Sequence, residues 1–267
     1  MPNTYIGPSL GPAFGLKDLI GRERVRHMIP GEHPLGAGFK ALQKRLIGHH
    51  ELTVGEREAL ADLKMAAGVI MGCEPQWRDH RPRWSQLLAN AKECEAILFE
   101  VEIIRFSLMG LVSRFEWPIF REGQRDIRVY GPDMWVECKL APNPTSKRIL
   151  GRARRAKNQP RDQRLPLVVA VGFRTISNPS EVDQVQREML SKQKWFADRP
   201  EISALLIAFR TKEPVEGAYW NPLGLPGLNT HFGAVCEVRN QACANPIPSE
   251  FMFGDQQALP TREVTQP

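Results

Sequence analysis

A short acidic and basic pattern in the middle of the chain has the residue types of a hydrolytic metal site. Glu137 and Lys139 flank Cys138, and Asp126 stands upstream of them. Because alternate residues of an extended strand point to the same face, Glu137 and Lys139 share a face if this stretch is a strand. A second carboxylate beside them completes a set that can hold Mg²⁺ or Mn²⁺ and activate water against a phosphodiester.

Asp126 joins this pair only if the turn between its strand and the next has an even number of residues. Directly opposed residues of an antiparallel pair share a face. A four-residue turn, 131–134, pairs Tyr130 with Trp135 and places Asp126 opposite Lys139. An odd turn places Asp126 on the other face. The hypothesis therefore requires the even turn, and the apolar alternation agrees with it, since Ile127 and Val129 would then face the same way as Val136 and Cys138.

The same acid-x-lysine spacing occurs at Asp62-Leu63-Lys64, where the apolar residues keep a helical period. In a helix these two side chains point in different directions, so this copy is predicted to be a solvated helix face. The strand context, and not the tripeptide, carries the hypothesis.

The hydrophobic pattern around the acidic residues alternates between helical and extended periods. A long helical pattern at 85–110 is followed by predicted strands at 115–121, 125–130 and 134–140, a basic helix, a buried strand at 165–171, a helix at 180–196 and a buried strand at 202–209. Thr53 with Glu56 and Ser180 with Asp183 are predicted helix caps. The order predicts an α/β fold with helices on both faces of a mixed sheet.

Three regions are predicted along the chain. Residues 1–84 are predicted to form an arm, poorly ordered to about residue 35, followed by a small helical module. Residues 85–245 are predicted to form the α/β core, and residues 246–267 a disordered tail. The five cysteines include no Cys-x-x-Cys pair, which argues against a disulfide scaffold or a zinc knuckle. No secretory signal is visible and the longest apolar stretch is too short to span a bilayer, so we expect a cytoplasmic protein without a membrane partner.

Positive charge is concentrated in one segment. The chain carries a net charge of +6, and residues 147–164 hold eight basic residues against one acid, so the remainder sums to −1. Such a segment is typical of a surface that binds a polyanion, and the alternative is a solvated helix face; the nearby carboxylates favour the first. As a helix it turns Ile149, Ala153 and Ala156 inward, and its candidate nucleic-acid contacts are Lys147, Arg148, Arg152, Arg154, Arg155 and Lys157.

Asp126, the Glu137-Cys138-Lys139 tripeptide and the order of elements resemble the PD-(D/E)XK nuclease superfamily, which has the restriction-endonuclease-like fold. The resemblance covers roughly residues 95–210. Arg125 stands where many members have a proline. The implied core order is α-β-β-β-α-β-α-β.

The resemblance implies a divalent-metal-dependent nuclease that hydrolyses phosphodiester bonds, with DNA favoured over RNA. Asp126, Glu137 and the backbone carbonyl of Cys138 would bind Mg²⁺ or Mn²⁺, and Lys139 would orient or deprotonate the attacking water. Glu100, on the preceding helix, would complete the metal site, and Gln159 would join the basic helix in binding nucleic acid. On a helical projection Glu100 lies about 50° from the inward direction. A pairing of Glu100 with Arg105 is the alternative.

Two other functions fit the same residues. The first is a non-catalytic nucleic-acid-binding protein that uses the basic helix at 147–164. The second is a docking surface for an acidic protein, with the carboxylates as ordinary hairpin polar residues. Cys138 is predicted to be a buried core residue and not a nucleophile.

Overall fold

The computed structural model describes residues 10–47, 51–108, 114–120, 126–156, 164–211, 219–220 and 232–249. Backbone contacts divide the chain into two compact units, Met1–Val101 and Glu102–Pro267. The predicted region boundaries after residues 84 and 245 stay predictions.

The first unit is helical. Its helices are α1 (Gly11–Ile20), α2 (Arg22–Met28), α3 (Gly36–Ile47), α4 (Val54–Gly72), α5 (Glu74–Trp77), α6 (Arg81–Ala89) and the first part of α7 (Ala91–Leu108), with a 3₁₀ turn at Arg78–His80. The predicted cap of α4 is confirmed, because Thr53 and Glu56 bond to each other's backbone N–H groups. Helix α3 packs against α4 at Gly38, where a Cβ atom would lie 2.7 Å from the Ala59 carbonyl oxygen.

Helices α1 and α2 correct the predicted poorly ordered arm. Ala13, Leu16 and Ile20 of α1 are fully or almost fully buried, and α1 packs against α4 and α6. The glycines and prolines around this ten-residue helix obscure its apolar stripe in the sequence. Gly21 separates α1 from α2. Its φ of +97° is a conformation that favours glycine.

The second unit is an α/β structure built on an open, mixed sheet. Its strands are β1 (Arg114–Glu116), β2 (Ile127–Tyr130), β3 (Met134–Ala141), β4 (Leu167–Ser177), β5 (Ala204–Thr211), β6 (Tyr219–Trp220) and β7 (Phe232–Arg239). They lie in the order β1-β2-β3-β4-β5-β7-β6. Strands β3, β4 and β5 are parallel and the other pairs are antiparallel. The α/β class is confirmed.

Strands β4 and β5 form the centre of the sheet. Residues 167–171 and 204–207 are completely buried, as expected of apolar strands in the middle of a parallel sheet. The helices of this unit are α8 (Ser146–Ala156), α9 (Pro179–Leu190) and α10 (Gln193–Ala197). Side chains of all three helices share one hydrophobic core with one face of β3, β4, β5 and β7.

Three local predictions are corrected by backbone chemistry. Strand β1 ends at Glu116, because Pro118 has no N–H group with which to continue the ladder. Asn178 and Glu181, not Ser180 and Asp183, form the capping box of α9. The helix predicted at 180–196 is two helices, α9 and α10. From residue 250 onward the predicted disordered tail lies outside the described residues. Ile247, which belongs to the predicted tail, is buried, so this part of the prediction is corrected.

Candidate functional site

The turn between β2 and β3 has an even number of residues, as predicted. Val129 pairs with Met134, so four residues connect the last paired positions. The turn begins one residue earlier than expected, and the predicted pairing of Tyr130 with Trp135 is wrong. Gly131 adopts a φ of +121°, which explains why the tight connection forms at this point.

This register brings Asp126 to the strand position opposite Glu137. Ile127 pairs with Val136; Asp126 immediately precedes β2, and Glu137 follows Val136 in β3. Asp126 Oδ2 accepts a hydrogen bond of 2.7 Å from the backbone N–H of Cys138. The predicted position of Asp126 directly opposite Lys139 is therefore wrong by one pair, but the two carboxylates share a face.

Lys139 completes the group on this face. Its Nζ forms a salt bridge with Glu137 Oε1. Burial lowers the pKa of Lys139, but the attraction of Asp126 and Glu137 outweighs it, so the pKa is raised above its ordinary value. Lys139 is therefore an ammonium group at neutral pH. Asp126, Glu137 and Lys139 form the acid–lysine site of this protein.

The neighbouring strand explains why the acid–lysine site is withdrawn from solvent. Glu137 pairs with Val169 and Lys139 with Val171, and both valines are completely buried. Glu137 is itself 0% exposed, whereas the side chain of Lys139 is 25% exposed. A buried carboxylate is costly unless a counter-charge accompanies it, which Lys139 supplies. Lys139 is thus the member of the pair that reaches the surface.

A second group of side chains on the same face was missed by the sequence analysis. The guanidinium of Arg128 lies 4.6 Å from the centre of the Trp135 ring, and that of Arg114 lies 4.6 Å from the centre of the Tyr130 ring. The Tyr130 hydroxyl donates a hydrogen bond to Glu116 at 3.0 Å. The signal was available, because these residues of β2 and β3 have the same strand parity as the two carboxylates.

Glu100 lies on α7 and is partly exposed. Ile97, Val101 and Ile104 are buried as predicted, but Phe99 and Ile103 are buried too. The buried side of α7 is therefore broader than the helical projection assumed, and the projection does not single out Glu100. Glu100 belongs to the first compact unit and the acid–lysine site to the second, so its place in a metal site stays a prediction.

The basic helix is confirmed over α8. Ile149, Ala153 and Ala156 are buried as predicted, in the core that contains Val169 and Val171. Consequently α8 covers the same sheet face that bears Glu137 and Lys139. The basic side chains are exposed at Lys147, Arg148, Arg154 and Arg155 and partly exposed at Arg152. The predicted contacts Lys157 and Gln159 lie outside the described residues.

The donor set of the acid–lysine site fits a hard divalent cation. Two carboxylates on adjacent strands flank the peptide of Cys138, and Mg²⁺ needs only one or two carboxylates because it retains several waters. Within the described residues no group of three or more His, Cys, Asp and Glu side chains is placed to hold a metal. The acid–lysine site has two carboxylates, which is the sparse oxygen set that Mg²⁺ uses.

Cys138 is buried, as predicted. Its side chain follows the strand parity of Val136 and so faces away from Glu137 and Lys139. By contrast, Asp62 and Lys64 lie on helix α4, as the helical period predicted.

Comparisons with known proteins gave no match among protein-family models, curated proteins or solved structures. No helix of the described chain has the length and apolar character needed to span a bilayer. The resemblance to the PD-(D/E)XK superfamily therefore rests on the residues and elements described above.

Proposed function

We propose that this chain is a divalent-metal-dependent nuclease of the PD-(D/E)XK type that hydrolyses phosphodiester bonds of DNA. The observation that carries the proposal is the convergence of Asp126, Glu137 and Lys139 on one face of the β2–β3 hairpin. Two carboxylates can hold a metal ion that activates water, and a neighbouring ammonium group can offset the charge of a phosphodiester in the transition state.

The order of elements supports a restriction-endonuclease-like topology. The sequence α7-β1-β2-β3-α8-β4-α9-β5 reproduces the core order that the resemblance implies. In this order an antiparallel hairpin joins a parallel three-strand unit, and the shared strand is β3, which carries Glu137 and Lys139. Helix α10 and strands β6 and β7 are additions to that core.

The residues divide the chemistry as follows. Asp126 and Glu137, with the backbone carbonyl of Cys138, would hold Mg²⁺ or Mn²⁺. When bound, the ion would lower the pKa of a coordinated water and offset phosphate charge. Lys139 is held protonated by its two carboxylate neighbours. It therefore acts as a hydrogen-bond donor and a positive charge beside the phosphate, in preference to the alternative role of base.

The basic helix α8 positions the substrate in this proposal. It is connected to β3 through residues 142–145 and covers the face that bears Glu137. Its exposed arginines suit phosphate contacts, which fix the register of a strand without reading its sequence. Gln159 and Lys157 would extend the same contact.

The test is cleavage of supercoiled and linear DNA, and of RNA, by the purified chain with Mg²⁺, Mn²⁺ or EDTA. Glu137→Gln and Lys139→Met should each slow cleavage at least about 10²-fold, because each removes a charge that acts in the transition state. Binding of DNA in EDTA should persist. The matched control is Asp62→Asn with Lys64→Met, which changes the same charges on helix α4 and should cleave normally. Metal-dependent cleavage that survives Glu137→Gln would refute the assignment.

A non-catalytic nucleic-acid-binding protein is the second candidate, favoured by the complete burial of Glu137 against Lys139. This candidate predicts DNA binding through α8 with no cleavage in either metal. Binding to an acidic protein instead predicts capture of an acidic polypeptide and no steep dependence of DNA binding on salt.

A further inference from the structure

A second concentration of arginine occurs in the helical unit, far from the acid–lysine site in sequence. Six exposed arginines lie on α2, on the 3₁₀ turn and on α6: Arg22, Arg24, Arg26, Arg78, Arg81 and Arg83. We call them the α2–α6 arginine surface.

Side-chain contacts join the two segments that carry this surface. Helices α2 and α6 pack against each other. Arg24 Nη1 donates a hydrogen bond of 2.6 Å to Ser85 Oγ, and Ser85 Oγ donates one of 3.0 Å to the Ile20 carbonyl. Arg81 lies one helical turn before Ser85, on the same stripe of α6. The arginines therefore belong to one continuous part of the unit.

The charge of the unit is distributed unevenly around this surface. Residues 22–28 and 78–83 contain six arginines against two acids, Glu23 and Asp79, a net charge of +4, and Arg81 also forms a 3.9 Å salt bridge with Glu74, which lies outside these ranges. Residues 1–101 contain thirteen Lys and Arg against twelve Asp and Glu, a net charge of +1, so the remainder carries −3. A basic face on an otherwise acidic unit attracts polyanions to that face.

The chemistry of the surface favours a polynucleotide over a lipid surface. All six basic residues are arginine, whose planar guanidinium matches phosphate oxygens two at a time. Amphipathic helices that bind membranes combine basic residues with apolar anchors. In the described chain the exposed large hydrophobic residues lie outside these segments, at Leu46, Ile47, Val54, Ile176 and Leu190.

We propose that the α2–α6 arginine surface binds the phosphate backbone of a nucleic acid, as a contact separate from the basic helix α8. The choice of ligand rests on the proposed function, but the contact does not involve the acid–lysine site. The helical unit would thus add affinity for the nucleic acid without recognising its base sequence.

The experiment measures binding of the full chain to a fluorescent 30-base-pair DNA in EDTA, across a salt series. The test variant is Arg22→Gln, Arg26→Gln and Arg78→Gln together. Its affinity should fall about tenfold or more at low salt, and the slope of log K against log salt should decrease by about 0.9 per lost contact. The matched control, Lys40→Gln, Arg45→Gln and Lys92→Gln, removes the same charge from exposed positions elsewhere in the unit and should bind almost as the wild type does.

Three further arms decide the remaining cases. Replacement of the three arginines by lysine should retain the salt slope, because the charges remain. If the glutamine triple variant unfolds, the single variants Arg22→Gln and Arg78→Gln test the inference instead, and each should lower the slope of log K against log salt. Equal losses in test and control variants, or no loss in either, overturn the inference. So does loss of binding to phosphatidylserine vesicles with DNA binding unchanged.

The outcome is separable from that of the proposed nuclease. Because the measurement is made in EDTA, loss of DNA binding in the test variant supports the surface even if the wild type does not cleave. Normal DNA binding by the test variant, together with cleavage that depends on Glu137, overturns the surface and leaves the nuclease standing.

Discussion

The sheet face that bears Glu137 has two halves of opposite chemistry. On β4 and β5 it carries Val169, Val171, Leu205 and Ile207, all completely buried within the helix-covered core. On β1 and β2 it carries arginine, tyrosine and carboxylate side chains joined by ring contacts and hydrogen bonds. We call these the apolar half and the polar half.

The border between the two halves is the part of the sheet face that can hold a charged group. Strand β3 is the border between the halves, and Glu137 and Lys139 stand on it with buried valines on one side and Asp126 on the other. The apolar half withdraws water and strengthens the interaction between the charges, whereas the polar half supplies Asp126. A charged pair in the middle of the apolar half would have no such partner.

The largest expected effect on stability comes from replacing charged residues of β3 by apolar ones. Glu137→Leu leaves Lys139 partly buried beside Asp126 alone, and should lower the free energy of unfolding by about 3–5 kcal/mol. Glu137→Leu with Lys139→Met removes both charges and should be neutral or stabilising by about 1–4 kcal/mol. Urea denaturation measures both. A double variant as unstable as the single one would show that the ion pair holds β3 in place.

A smaller effect is expected when one side chain of each half is truncated and the losses of stability are compared. Leu205→Ala, in the apolar half, should cost about 2–5 kcal/mol because it leaves a cavity in a packed core. Arg114→Ala, in the polar half, removes an exposed cation–π contact with Tyr130 and should cost about 0.5–1 kcal/mol. Thermal and urea unfolding of the two variants measure the difference. Equal costs would contradict the division of the face into two halves.

The smallest expected effect is the pH dependence of the stability that the Glu137–Lys139 ion pair contributes. The pKa of Lys139 is raised above 10.5 in the folded chain, so its protonation stabilises the fold fully below that value. The stability difference between the wild type and Lys139→Met should therefore be constant from about pH 7 to 10 and diminish above pH 10.5. Urea midpoints of both proteins across this range test it, and the common titration of the buried cysteines cancels. A difference that grows with alkaline pH would reverse the sign of the shift.

Much of the second unit could be predicted because its local patterns are strong. The alternation of Ile127 and Val129 with polar residues, and the uninterrupted apolar run at 167–171, leave few other ways to bury these side chains. The cap at Thr53 was predicted correctly because a Thr hydroxyl and a Glu carboxylate three residues apart each accept a hydrogen bond from the other residue's backbone N–H. The cap at Ser180 failed because Asn178, followed by Pro179, offered a better start two residues earlier.

The shared face of Glu137 and Lys139 and the inward residues of α8 follow from the sequence, because each depends on the repeat of a single element. The position of Asp126 opposite Glu137 and not Lys139 came from the tertiary structure, since it depends on where Gly131 allows the chain to turn. It also decided the complete burial of Glu137 and the joining of α2 to α6. These depend on residues distant in the chain, whose proximity no local period encodes.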